Sequence, residues 1–382
     1  MTPLGPVAES VIRESVRGAA DIVAPGVTPV RLPAWATAQM AEGFSRVVAD
    51  HTAGVRLDLE TAASVLELEV SLARYLSPDM AHHSARSVFA VTDDSGVLCE
   101  VATTAGSRVV EQSDRSVAVA DGGIVTIQLE LEPASEARRV QVWLPHNSAV
   151  TIHSLRADRP VEAHAPAGSR WVHHGSSISH CLDAHGPLGA WPVLAARSLG
   201  LELTDLGLAG NSMLDPYVAR TIRDLPADLI TLKVGINIVN GDSFTERTLV
   251  PALHGFIDTV REGHPEVPFV VMSPVWCGIH EDTAGPTSFD PITMMCSALG
   301  TGDLTLARTR EIVERVARAR AAADARLFVL DGRELLSARD ASHLWDGLHP
   351  DHEGYAIMAD RFVSLARSGE GPVATALGLA RR

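Results

Sequence analysis

Near residue 165 the apolar residues of this chain change their period, and that change calls for two different folds in one polypeptide. Upstream they alternate. Val55–Leu59 and Ser64–Val70 read as strands, as do Ser87–Thr92, Val97–Thr103, Ser116–Ala120, Ile124–Leu131, Val140–Leu144 and Val150–Leu155. Turn clusters such as Asp93-Asp94-Ser95-Gly96 and Asp121-Gly122-Gly123 separate them. Many short strands at close spacing, with almost no helix, predict a jelly-roll-like β-sandwich over residues 1–165. Its first 50 residues form an irregular leader with a short helix within Val7–Ala20, and a linker, Pro160–Gly168, closes it.

Downstream, strand and helix alternate. Strands are expected at Trp171–His174, Leu201–Leu206, Leu229–Val234, Phe269–Ser273 and Arg326–Leu330. Helices are expected at Ala190–Leu199, Pro216–Asp224, Glu246–Gly263, Leu304–Ala323 and Glu353–Arg367, the second capped by Asp215 with Pro216 in its first turn. Five strands joined by helical crossovers predict a flavodoxin-like, doubly wound parallel sheet over residues 170–367. The tail, residues 368–382, is expected to be weakly ordered.

In such a sheet, whatever follows a strand's C-terminal end converges on one rim. Trp171–Cys181 reads as a strand that stops at Gly175, where glycine allows unusual backbone angles, with Ser177 just beyond. That stretch can hold a nucleophile; it can equally be a loop whose serines cap a helix. Far downstream, Asp346-Gly347-Leu348-His349 can let a carboxylate bond imidazole Nδ1 and leave Nε2 for a serine hydroxyl. The same segment also fits a helix entry with Asp351 as cap. After the second and third strands come Gly207-Leu208-Ala209-Gly210-Asn211 and Gly235-Ile236-Asn237. The N–H of Gly210, the Asn237 amide and the N–H of Ser177 suit an oxyanion, although each residue alone also fits an ordinary turn.

The order of these blocks resembles the SGNH or GDSL hydrolase family of esterases and lipases. Gly175-Ser176-Ser177, Gly210-Asn211, Gly235-Ile236-Asn237 and Asp346-Gly347-Leu348-His349 match its four blocks. The resemblance implies Ser177 as nucleophile, His349 and Asp346 as the rest of a triad, and Ser177, Gly210 and Asn237 as the oxyanion hole. Two positions depart from the family: Ser176 stands where an acidic residue is usual, and Ile238 where Asp is usual. Neither removes a triad or oxyanion group, so they bear on substrate rather than reaction. The Gly-Ser-Ser-Ile variant behind a β-sandwich is similar to two-domain carbohydrate esterases that remove acetyl groups from sugars.

Charge narrows the partners. The chain carries a net −15, and Lys233 is the one lysine among 32 basic residues, which argues against nucleic acid or an anionic membrane. Cys99, Cys181, Cys277 and Cys296 show no metal-type spacing, and Cys277 and Cys296 read as free thiols or as one loop-closing pair. His173, His174, His180 and His185 crowd the first block; they read as imidazoles at a pocket mouth rather than as metal ligands, and no metal is expected. With no signal-like start and no long apolar run, a cytoplasmic location is the default expectation.

The expected activity is therefore cofactor-free hydrolysis of a small acyl ester, acetyl first, on a sugar or other hydroxylated metabolite. His174, Trp276 and Trp345 are the expected substrate-binding residues, and Trp276–Asp303 is expected to loop over the site. Two readings compete: a lipase- or thioesterase-like enzyme for longer chains, favoured by apolar residues at 292–299, and a degenerate carbohydrate-binding protein. The oligomeric state is left open.

Overall fold

The computed structural model describes residues 3–41, 43–76, 86–111 and 117–379. Two compact units emerge, one of Met1–Ala167 with His185–Leu188, the other of Gly168–Ala184 with Gly189–Arg382.

The first unit holds two six-stranded sheets. In one, the long strand Val65–Leu76 is flanked by Ser148–Ala157 on one side and by Ile124–Glu130, then Ser107–Glu111, on the other. In the other, Arg138–Trp143 lies between Arg56–Thr61 and Ser87–Asp93. Alternation does the rest. Leu66, Leu68, Val70 and Leu72 from the first sheet and Leu57, Leu59, Val140 and Val142 from the second are buried in one shared core, while their neighbours face outward. The linker departs from expectation: Val161–Ala163 adds to the edge of Arg56–Thr61, because its extended backbone finds an unpaired strand there. Ser116, the first residue of one expected strand, lies outside the described residues.

In the second unit the parallel strands are β1 (Arg170–Gly175), β2 (Glu202–Gly207), β3 (Leu229–Lys233), β4 (Phe269–Met272) and β5 (Leu327–Leu330), in the order β2-β1-β3-β4-β5. The helices are α1 (Trp191–Leu199), α2 (Pro216–Asp224), α3 (Glu246–Gly263), α4 (Leu306–Ala321) and α5 (His352–Arg367). Right-handed crossovers put helices on opposite faces when the strand order reverses. Accordingly α5 packs with α1, while α3 packs with α2 and α4. This is the flavodoxin-like, doubly wound order that the alternation of strand and helix predicts. Period two along β1 serves both faces: Trp171 and His173 meet Trp191 of α1, and His174 stacks on Phe256 of α3.

Three expectations need correction. Asp215 occupies the N-cap of α2 without a capping bond to the helix N–H groups, because its carboxylate is engaged by the backbone N–H groups of Asp215 itself and Met213 and by the Tyr217 hydroxyl. The stretch after β4 is not a plain loop: Gly278–Glu281 is a short helix, and Thr287–Asp290 pairs with Met295–Ala298 as a hairpin. The tail forms α6 (Gly371–Ala376), with Val373, Ala374 and Ala376 buried against α5, β4 and β5. Since α5 sits beside α1, that end of the sheet face would otherwise stay wet. Among the described residues, no helix is long and apolar enough to cross a membrane.

Trp171, Trp191 and Phe362 form an aromatic triangle under β1, with Phe362 stacked on Trp171 at 5.1 Å between ring centroids. Phe362→Ala should destabilise this unit by about 3 kcal/mol. Chemical denaturation followed by tryptophan fluorescence would read the loss, and an unchanged midpoint would contradict it.

Candidate active site

Ser177 stands where β1 ends. Ser176 leaves the strand in an extended conformation, its Oγ accepts the Ile178 N–H at 3.3 Å, and Ser177 opens a single helical turn, Ser177–His180. As the first helical residue it has an N–H with no intrahelical acceptor. Two glycines let this turn sit directly on the strand ends. A Cβ at Gly175 would lie 2.2 Å from Ser179 Oγ, and one at Gly207, the end of β2, 2.4 Å from the backbone nitrogen of His180. Gly175 is therefore required for close approach rather than for a positive φ.

The Asp346–His349 turn is closed by the Trp345 N–H donating to the His349 carbonyl at 3.0 Å, and Gly347 supplies its positive φ of 85°. His349 Nε2 lies 3.0 Å from Ser177 Oγ, and its Nδ1 lies 2.7 Å from Asp346 Oδ2. Asp346 is 2 % exposed. Its other oxygen accepts the N–H of Leu348 at 2.8 Å and of His349 at 2.6 Å. Burial alone would raise its pKa, but the charge and hydrogen bond of His349 and those two N–H donors hold it down at about 2. Burial likewise pulls His349 down, yet the Asp346 carboxylate, with Asp183 adding to it, lifts the imidazole to about 9. Asp351 is a separate device: its carboxylate accepts the Gly354 N–H at 2.7 Å and caps α5. The helix-entry reading and the Asp–His reading thus apply to different aspartates.

Donors gather on the same rim. Gly210 has φ 72° in the loop after β2. Asn237 lies in the turn Ile236–Asn240, and its Oδ1 accepts the Ser212 N–H at 3.0 Å, so the amide is oriented with its nitrogen still available. Gly235, φ 141°, makes the bend possible with the Pro274 ring against it.

Three of the four histidines of the first block do not line a pocket, and the fourth, His185, is exposed. His173 and His174 are fully buried because β1 is a central strand covered on both faces, and His180 is buried at the end of the Ser177 turn, against Gly207. His174, expected at the substrate, instead donates from Nδ1 to the Leu206 carbonyl at 2.7 Å. His173 links Thr231 Oγ1 at 2.7 Å to Ser179 Oγ at 2.8 Å, and the Trp171 indole donates to the same threonine at 2.8 Å. This network pins the Ser177 turn to β1 and β3, and no local sequence pattern announces it. Trp276 and Trp345 are both half-buried, Trp276 with its ring against Gly278 and Trp345 inside the Asp346 turn. All four cysteines are free, and among the described residues no cluster of metal-ligating side chains occurs.

Residues 174–357 match the family model described as GDSL-like Lipase/Acylhydrolase family. No curated protein matches the chain. Solved structures do. A salicylyl-acyltransferase, SsfX3, from a tetracycline biosynthetic pathway is 26% identical, with 96% of each chain covered and a TM-score of 0.77. A family two carbohydrate esterase from Cellvibrio japonicus is 13% identical over 99% of this chain and 100% of that one, with a TM-score of 0.56. An acetyl xylan esterase from Butyrivibrio proteoclasticus is 9% identical over 96% and 98%, with a TM-score of 0.53. At such identities the last two share the fold.

Two outcomes test the geometry. Gly207→Ala should push the Ser177 turn off its seat, destabilising the unit by about 2 kcal/mol and cutting kcat roughly a hundredfold. Asp346→Asn removes the charge that raises His349, so the pH midpoint of kcat/KM should fall from well above 6.5 towards or below it. A midpoint that stays put in the variant would dissociate Asp346 from the titrating group.

Proposed function

Because residues 174–357 are a GDSL-like lipase/acylhydrolase domain, we propose that this esterase works through Ser177, His349 and Asp346. The observation that carries the reading is the unbroken chain Ser177 Oγ–His349 Nε2 at 3.0 Å and His349 Nδ1–Asp346 Oδ2 at 2.7 Å. Ser177 Oγ attacks the ester carbonyl as neutral His349 takes its proton. The oxyanion is held by the N–H groups of Ser177 and Gly210 and by Asn237 Nδ2. When the tetrahedral adduct collapses, the carbon–oxygen bond to the alcohol breaks and His349 returns the proton to it. Water then attacks the acyl-serine through the same steps, releasing the acid and restoring the hydroxyl.

For the substrate, a small acyl group on a sugar or another hydroxylated metabolite is the first reading. The shared fold of the carbohydrate esterases and the partly exposed tryptophans Trp276 and Trp345 near the Asp346 turn support it. A second reading replaces water by an alcohol acceptor. The full-length likeness to a salicylyl-acyltransferase at 26% identity supports it, since hydrolysis and transfer share the acyl-enzyme and differ only in what deacylates it.

The panel that tests this is p-nitrophenyl acetate, butyrate and octanoate with wild type and Ser177→Ala. Wild type should favour acetate, and Ser177→Ala should lose at least about ten-thousandfold in kcat. Preference for octanoate would overturn the small-acyl reading, and an undiminished Ser177→Ala would remove Ser177 as nucleophile. Adding glycerol or a monosaccharide separates the acceptors: released acid that gives way to a new ester in proportion to the added alcohol would mean transfer.

A further inference from the structure

The Asp346 carboxylate has a partner that the reaction as written does not use. Its Oδ2 accepts not only His349 Nδ1 but also the thiol of Cys296, with Sγ 3.4 Å away. The geometry behind this contact is specific. Cys296 lies on the hairpin strand Met295–Ala298, where alternation turns Met295 and Ser297 outward and Cys296 inward. The N–H of the same residue donates to the Asp346 carbonyl at 2.8 Å, so the hairpin grips Asp346 at both backbone and side chain. From the other flank, the Cys277 thiol meets the Gly347 carbonyl at 3.5 Å.

We infer that Cys296 is a positioning residue for this site: its thiol shares Asp346 Oδ2 with His349, fixes the carboxylate against the imidazole, and draws off part of the negative charge that makes His349 basic. The inference rests on the reading of Asp346 and His349 as the acid–base pair. A buried cysteine is often only a small apolar filler, and such a filler would be indifferent to what its sulfur touches. This one donates to a charge. It also keeps its proton: burial, then the neighbouring Asp346 charge, push the Cys296 thiol far above the ordinary thiol range. A hydrogen bond to the charged form of a carboxylate lowers its basicity, and a less basic carboxylate holds the imidazolium less tightly. Other titratable groups share this electrostatic neighbourhood: Asp183 after the Ser177 turn, Tyr355 and Asp351 on or beside α5, and Cys277 and Glu281 at the short helix after β4. A substitution at Cys296 leaves all of them in place.

The test compares wild type, Cys296→Ala and Cys296→Ser, reading kcat/KM against pH on p-nitrophenyl acetate and, without substrate, the His349 imidazole titration by NMR. Cys296→Ala should move both midpoints upward by about half a pH unit and lower plateau kcat several-fold with KM unchanged. Cys296→Ser, which keeps a donor, should reverse both changes, recovering plateau kcat and, through its stronger donor, carrying both midpoints slightly below those of wild type. Coincident midpoints in wild type and Cys296→Ala, or a serine variant that behaves like alanine, would reduce Cys296 to packing and overturn the inference. If the alanine variant does not fold, the serine variant decides, because its stronger donor should move the His349 midpoint below that of wild type, and an unmoved midpoint overturns the inference. Failure of the underlying reading looks different. An inactive wild type, or activity that survives Ser177→Ala, strikes the assignment of the site, whereas Ser177-dependent activity with unmoved midpoints strikes Cys296 alone.

Discussion

A carboxylate with 2 % of its surface exposed is the constraint around which the second unit is arranged. Burying its charge would cost several kcal/mol if the charge were left uncompensated, so the chain must bring donors to it. Asp346 receives four: two N–H groups from its own turn, the imidazole three residues on, and the Cys296 thiol. The turn alone would supply the first three. The fourth requires the hairpin after β4, and this accounts for ordered structure in a segment whose composition reads as a loop.

The same logic extends beneath Ser177. The central strand β1 carries two histidines and a tryptophan into a covered interior, where each polar atom needs a partner. Thr231 and Ser179 meet those of Trp171 and His173, and in doing so tie the Ser177 turn to the neighbouring strands, while the Leu206 carbonyl serves His174. Lys233, the lone lysine, is buried at the end of β3, where desolvation lowers it to about 8 against the opposing charge of Asp205. Packing and polar satisfaction thus converge on one short segment. Gly175 and Gly207 make that convergence sterically possible.

Function follows from where the rim collects these parts. A strained or mobile site is not needed, because strand ends and a single helical turn already bring hydroxyl, imidazole and carboxylate into line. The hairpin carries exposed Ile292 and Met295, with Leu299 exposed just beyond it. The chain shares its fold with proteins described as esterases and as an acyltransferase, and a shared fold does not by itself fix the acceptor.

Much is legible in the amino-acid sequence. The change from period two to alternating strand and helix located both units, since burial on one face or on two imprints directly on the order of apolar residues. The bounds of α2 and α3, and every strand of the parallel sheet to within two residues, follow from the same pattern. The spacing of Asp346 and His349 made their pairing readable because a three-residue turn is local. Partnerships across the chain were not readable. His174 looked like a pocket residue by its position beside the serine, but the phase of β1 turned it into the core against Phe256. Cys296 reached Asp346 through a hairpin that the sequence did not announce, and the tail became a helix because one end of the sheet face needed cover. The sequence by itself determined the order of elements, the residue types at each strand end and the local Asp–His turn, because these depend on periodicity and short-range geometry. Only the tertiary structure decided which buried polar groups meet, because such pairs are selected by packing between segments 50 or more residues apart.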